Sequence, residues 1–222
     1  MLFQSVWPSG FAIYERGAAA DGVFVVVAGR VVLRSRVRAG RAFVPWIAAR
    51  NETFGSEGLH AGATYVTDAR AEDESETLFL SSSRFRAFVR EQPHDAIALF
   101  GQLMAERAAL LDKLRELTTL TVEQRIVATF SRLAHTDIFA APDGRITLCP
   151  QRYRLLCELV GATRESVSLV LARLGAAGLV ERQGATLFLA ALPRIVERTR
   201  VPASELEAPL ARLAQHQAAT VQ

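Results

Sequence analysis

Arg164, Glu165 and Ser168 open an otherwise apolar run, VGATRESVSLVLARLGAAGLV, spanning residues 160–180. A guanidinium is a rigid fork of N–H donors that fits the O6 and N7 acceptors of guanine. A carboxylate accepts from the N4 amino group of cytosine but is repelled by phosphates. Its place beside Arg164 is therefore informative if both side chains face DNA. An exposed helix start yields the same dipeptide, so the surrounding pattern has to decide between the two readings.

That pattern has a consistent order. A first helix is expected from about Pro150 to Leu159, packed through Leu155, Leu156 and Leu159. Val160-Gly161-Ala162 makes a tight turn, with Gly161 allowing the sharp change of direction. Thr163 caps a second helix running to about Ala176, and its Val167, Val170, Leu171 and Leu174 face inward. Gly178 ends that helix. Glu181 to Leu189, with Gly184 at its centre, reads as a small hairpin. Helix, turn, helix and hairpin make a winged helix-turn-helix, in which the start of the second helix meets base edges. Charge agrees with this. Residues 145–200 carry nine Arg, no Lys and four Glu, a net of +5, whereas residues 1–94 net only +1.

The elements upstream differ in kind. Residues 1 to about 90 read as β, most clearly in GVFVVVAGRVVLRSRV, where Ala28-Gly29 turns between two runs and Arg34, Arg36 and Arg38 alternate outward. Glycines 40, 55, 58 and 62 punctuate the next stretch, and Glu76 to Phe79 forms one more short strand. Short strands with glycine turns fit a sandwich or barrel. The pattern changes at Arg84, and Pro93 to Thr119 forms a single long helix. Leu103, Leu110, Leu114 and Leu117 make one apolar stripe on it, and Ile97, Phe100, Met104, Ala108 and Leu111 make another beside it. Two stripes are too wide for a simple two-stranded coil, so one face is free for a partner subunit. A further helix is expected over 121–134 with Thr121 as its cap, and a short one in the tail around Leu206, Leu210 and Leu213.

Other classes find little support. His60, His94, His135 and His216 lack metal-ligand spacing, and the chain has neither a GxSxG element nor a Walker loop, so the reading is not an enzyme. Cys149 and Cys157 form no CxxC pair and cannot complete a four-ligand metal site. No signal peptide is expected from the interrupted apolar start, and no run of about 18 apolar residues exists to cross a membrane. A reducing cytoplasm is the expected location.

GATRESVSLVLARLGAAGLV, together with GVFVVVAGRVVL, FGSEGL and the long helix, resembles the cyclic-AMP receptor protein and fumarate-nitrate regulator (CRP/FNR) superfamily of transcription regulators. The resemblance covers roughly residues 10–190 and is strongest over 145–180. It implies an α+β chain: an antiparallel β-roll (a cyclic-nucleotide-binding-like jelly roll) over 1–92, a dimerisation helix over 93–120, a winged helix-turn-helix over 121–200 and a tail over 201–222. It also implies a homodimer on palindromic promoter DNA, with RNA polymerase as a further partner. Arg164 and Glu165 match the family's base-reading pair, and Ser168 a position near the DNA. Leu169 stands where the receptor protein reads with an Arg, and leucine offers at most contact with a thymine methyl. Arg152, Arg154, Thr163 and Arg182 are the expected phosphate contacts. Ile97, Phe100, Leu103, Met104, Leu110, Leu111, Leu114 and Leu117 are the expected dimer contacts.

The family's nucleotide pocket resembles a short cassette, Gly-Glu, then Leu, then an Arg that pairs with the cyclic phosphate before Ser or Thr. Here Gly55 and Glu57 persist around an inserted Ser56, but Ala63 replaces that Arg before Thr64. Arg50 and Arg70 lie nearest, on other segments. Cyclic-nucleotide control and any cofactor are therefore not expected. A sensor cluster of iron and sulfur lacks its cysteines, because both lie at the first motif helix. His60 sits near the haem-ligand place of the carbon-monoxide-sensing member but has no second ligand. Control by an unidentified effector or by haem, and a dimeric scaffold without DNA binding, remain the alternative readings.

Overall fold

The computed structural model describes residues 2–36 and 42–199. The tail helix expected beyond residue 200, and Arg38, lie outside the described residues. The chain forms two compact units, Met1–Leu110 and Leu111–Gln222.

The first unit is built from β1 (Leu2–Trp7), β2 (Ala12–Tyr14), β3 (Gly22–Ala28), β4 (Val31–Arg36), β5 (Ala42–Ala48), β6 (Thr53–Phe54), β7 (Asp68–Ala71) and β8 (Ser75–Ser81). They pair antiparallel into two four-stranded sheets, ordered β1-β8-β3-β6 and β2-β7-β4-β5. One core joins them: Tyr14, Val26, Val31, Leu33, Ala48, Phe54, Tyr65 and Ala69 come from both sheets and the loop before β7. Sheets sharing a core in this way are stacked face to face, which gives the expected β-roll. Gly29, at φ 76°, makes the β3–β4 turn, where a Cβ would lie 2.4 Å from the Glu74 carbonyl oxygen. The Arg30 guanidinium clasps Asp73 across that turn.

Helix begins earlier than the expected change at Arg84. α1 (Ser82–Glu91) is capped by Ser81, and α2 (Pro93–Thr119) follows as a separate helix. Gln92, at φ −137° and ψ 68°, breaks the two apart. The residue before a proline is driven out of the helical region by the ring, so Pro93 ends one helix and starts the next.

The second unit takes the end of α2, then α3 (Val122–Arg132), β9 (Ile146–Leu148), α4 (Pro150–Val160), α5 (Arg164–Ala176), β10 (Val180–Gln183), β11 (Thr186–Leu189) and α6 (Leu192–Thr199). Thr121 and Gln124 form a reciprocal capping box that starts α3. The hairpin has a third strand not expected from sequence. β9 pairs with β11, giving the order β10-β11-β9. Ile126, Leu148, Leu156, Leu189 and Ile195 are the largest fully buried side chains of this unit, together with Ile138, so its helices and wing sheet share one interior.

α2 is bound to α3 through buried charge. Lys113 Nζ donates to Glu116 Oε2 at 3.1 Å, and the Arg132 guanidinium bonds the other oxygen of the same carboxylate. The Lys113 and Glu116 side chains are only 4% and 6% exposed. Burial, reinforced by Arg132, pulls the Lys113 ammonium from 10.5 down to about 8, although Glu116 favours the charged form. Between these values the unfolded chain holds a proton that the folded chain has released, so stability rises with pH. Relative to Lys113→Met, the native protein should gain stability above pH about 8, at up to about 1.4 kcal/mol per pH unit. Urea unfolding of both proteins across pH 7 to about 10 measures this. A flat or falling difference contradicts it.

Candidate nucleic-acid interface

Helical period sorts the residues of α5 onto two sides. Val167, Val170, Leu171 and Leu174 are buried, whereas Arg164, Glu165, Ser168, Leu169 and Ala172 are exposed. The exposed set follows i, i+1, i+4, i+5 and i+8, a single stripe of a 3.6-residue helix. All four expected base-reading residues are therefore brought together on one face. Leu169 is 63% exposed, a leucine in solvent amid polar neighbours.

Local chemistry fixes both ends of this helix and the turn before it. Gly161 closes α4 in the left-handed region at φ 63°. Thr163 caps α5, its hydroxyl accepting from the Ser166 N–H at 3.3 Å. After Ala177, Gly178 at φ 73° lets the Leu179 N–H reach back to the Leu174 carbonyl at 2.9 Å, a six-to-one closure. Arg125, on α3, donates to the Val160 carbonyl at 2.9 Å and so ties a third helix to the turn. Nothing in the local sequence marks Arg125 for this role.

The hairpin joins β10 to β11 through Gly184-Ala185, and φ is positive only at Gly184, the φ pattern of a type II′ turn. Its base is braced by Arg145, which bonds Asp143 Oδ2 at 2.6 Å and Glu181 Oε2 at 3.0 Å and lies 4.6 Å from the Phe188 ring centroid. Both acids are held below the usual carboxylate range by hydrogen bonds, Asp143 by Arg145 and Glu181 first by Gln183. A groove of about 480 Å³ separates α5 from the wing, lined by Tyr153, Arg164, Ser168, Leu171, Ala172, Val180 and Arg182 among others.

The expected phosphate contacts are placed variously. Arg182 is exposed on the wing strand and lines this groove. Arg152 is half-buried and donates to the Ala140 carbonyl at 3.4 Å. Arg154 pairs with Glu158 at 3.1 Å, one turn along α4. Thr163 stands at the N-terminus of α5, where free N–H groups and the helix dipole favour an anion. The positive excess counted along the sequence is thus partly neutralised in place, because Arg145, Arg154 and Arg173 each face a carboxylate. Tyr153 also enters the site unannounced by the sequence. Its hydroxyl donates to the Arg164 carbonyl at 3.2 Å, and its ring lies 5.4 Å from the Arg164 guanidinium carbon.

In the first unit, the cassette residues are well defined. Gly55, at φ 74°, precedes a 3₁₀ turn over Ser56–Leu59. Gly58 touches the backbone of β3, since a Cβ there would lie 2.1 Å from the Gly22 carbonyl oxygen. Glu57 accepts from the Val66 N–H at 3.3 Å. Ala63 packs against the core, and Thr64 is exposed. His60 is exposed at the end of the turn. Arg70 is engaged by the Gly10 carbonyl and Glu15, away from the cassette.

Aromatic rings fill the interior beside Ala63. Tyr14 and Tyr65 stack with centroids 3.6 Å apart, and Phe24 and Phe54 stack at 5.0 Å. The surrounding charge is negative. Burial and then the Glu57 carboxylate push the Tyr14 hydroxyl well above its ordinary value and that of Tyr65 to about 12. Burial, Glu57 and Glu52 together raise Glu106, on α2, to about 7. A phosphate here would meet carboxylates and no arginine of the cassette.

The cyclic nucleotide-binding domain family matches residues 5–92 of the chain. The cAMP-activated global transcriptional regulator CRP of Salmonella typhimurium is 25% identical over 184 residues, 82% of this chain and 86% of that protein. Two solved structures share the fold. A CRP-family transcriptional regulator of Thermus thermophilus has a TM-score of 0.74 at 24% identity, covering 92% of this chain and 99% of that one. The c-di-GMP responsive global regulator CLP of Xanthomonas campestris has a TM-score of 0.70 at 23% identity, covering 86% and 94%. Residues 5–92 thus form a cyclic nucleotide-binding-type domain, and over most of its length the chain is similar to CRP-type transcription regulators.

Proposed function

We propose that this protein is a homodimeric, sequence-specific DNA-binding transcription regulator of the cytoplasm, acting on palindromic promoter sites without control by a cyclic nucleotide. The observation that carries the reading is the one-sided α5, whose exposed stripe joins Arg164, Glu165, Ser168 and Leu169 while its other side is core. Two such helices, one per subunit, would enter successive major grooves about 34 Å apart. Arg164 would read a guanine and Glu165 a cytosine amino group. Leu169 would favour a thymine methyl, so the preferred half-site departs from one read by an arginine at that place. Arg182, Arg152 and Thr163 would meet phosphates, whereas Arg154 is paired with Glu158.

The dimer follows from α2. Ile97, Phe100, Met104, Leu111 and Leu114 are exposed and spaced at three, four, seven and three, the seam of a helix pair. Leu110 is exposed beside them, and Leu103 and Leu117 are partly covered. An apolar stripe of that length is costly in water and is covered by its equivalent on a second copy. A scaffold protein would use the same stripe but would leave the composition of α5 without a purpose.

Independence from cyclic nucleotide rests on Ala63, the stacked tyrosines and the carboxylates around them. The relatives named above differ in effector, one cAMP-activated and one c-di-GMP responsive, so similarity alone assigns none.

Gel-shift titration against genomic DNA fragments at two salt concentrations tests the central reading, and equal, weak binding to every fragment would sink it. Arg164→Ala should cost about 1–3 kcal/mol of discrimination at one guanine, whereas Arg152→Ala should weaken all sites alike and flatten the salt dependence. Leu111→Glu with Leu114→Glu should convert the dimer to a monomer in sedimentation equilibrium, and an unchanged dimer places the interface elsewhere. Calorimetric titration with cyclic AMP to about 1 mM should show no saturable binding. A saturating isotherm would return the β-roll to nucleotide sensing.

A further inference from the structure

Arg164 is held in two ways by one residue eleven positions earlier in the chain. The Tyr153 hydroxyl, from α4, donates to the Arg164 backbone carbonyl at 3.2 Å, and the Tyr153 ring lies under the guanidinium with 5.4 Å between Cζ and the centroid. The first contact fixes the opening turn of α5 against α4. The second fixes the side chain that turn carries.

Reading a base depends chiefly on the second. An arginine on an exposed helix start samples many rotamers, and a bidentate fork works only when its plane meets the base edge. A ring beneath the guanidinium engages its π face and leaves the in-plane N–H donors turned outward. Ordering the fork before DNA arrives removes that ordering cost from the bound state, and removes it most for the base that accepts both hydrogen bonds. Burial raises the Cys157 thiol to about 11, so it stays neutral beside Arg164, and Ser168 lines the same groove as an uncharged donor.

We infer that Tyr153 is a specificity-determining positioning residue, which pre-orders Arg164 for its base pair without itself reading DNA. The inference rests on the DNA-reading role proposed for Arg164. It predicts a loss confined to one base pair, where a residue holding phosphate or merely filling space would weaken all sites together.

The test compares full-length wild type with Tyr153→Leu, Tyr153→Phe, Arg164→Ala and the Tyr153→Leu/Arg164→Ala double variant, each first checked for an unchanged far-ultraviolet spectrum. In the free protein, ¹⁵N relaxation of the Arg164 Nε should report an ordered side chain in wild type and Tyr153→Phe, and a mobile one in Tyr153→Leu. On DNA, Tyr153→Leu should lower discrimination about three- to tenfold at the base pair that Arg164→Ala relaxes and nowhere else. Tyr153→Phe should stay within about twofold of wild type, and the double variant should discriminate no worse than Arg164→Ala. Unchanged discrimination in Tyr153→Leu, a uniform loss over all base pairs, or a Tyr153→Phe loss as large as that of Tyr153→Leu each overturns the inference. If Arg164→Ala relaxes no base pair, the reading role of Arg164 fails and takes this inference with it. A normal Arg164→Ala effect beside an inert Tyr153→Leu sinks the inference alone.

Discussion

The rotation of α5 about its own axis is set by four side chains. Val167, Val170, Leu171 and Leu174 must leave water together, and a helix has only one orientation that buries all four. Everything else at the interface depends on that. With those residues inward, Arg164, Glu165, Ser168 and Leu169 have no direction left but outward. The turn at Gly161, the Thr163 cap and the Arg125 bond to Val160 then fix where the stripe starts and at what angle it leaves α4. Burial supplies the free energy, and the polar contacts supply the register.

The β-roll shows the same architecture put to different chemistry. Its backbone turns tightly at the cassette, with Gly55 in the left-handed region and Gly58 pressed on Gly22. Its side chains differ from the cassette that the resemblance implies. Two stacked tyrosines and two stacked phenylalanines occupy the interior, and Glu57, Glu52 and Glu106 set a negative field in which Glu106 itself is half neutralised near neutral pH. Backbone shape in this unit is maintained by glycine geometry, whereas position 63, where the family resemblance implies an arginine, holds an alanine. Fold and effector are thus separable, and a family match over 5–92 speaks to the first only.

Much of this was legible in the chain because it is local. The capping of α5 by Thr163, the break at Gly161 and the hairpin around Gly184 depend on residues within a few positions of each other. The length of α2 was legible for the same reason, since Pro93 marks its start and the apolar repeat runs to Leu117. Three elements were not. β9 is only three residues long and gains its identity by pairing with β11 some forty positions later. α1 was hidden because it follows β8 without a loop, with Ser81 ending the strand and capping the helix at once. α6 rests on Ile195 alone for its buried anchor.

The sequence by itself determined which residues of α5 face outward, because helical period and one buried stripe leave no other assignment. It also determined that no arginine follows Leu59 in the cassette, a matter of composition alone. Only the tertiary structure decided which charges remain available. Arg145, Arg154 and Arg173 count equally with Arg164 and Arg182 in a net charge, yet each meets a carboxylate, two of them across long sequence separations. The same holds for Tyr153 under Arg164 and for Lys113 buried with Glu116 and Arg132. Such pairings require separate elements of the chain to meet in space, and nothing in local propensity or periodicity encodes that meeting.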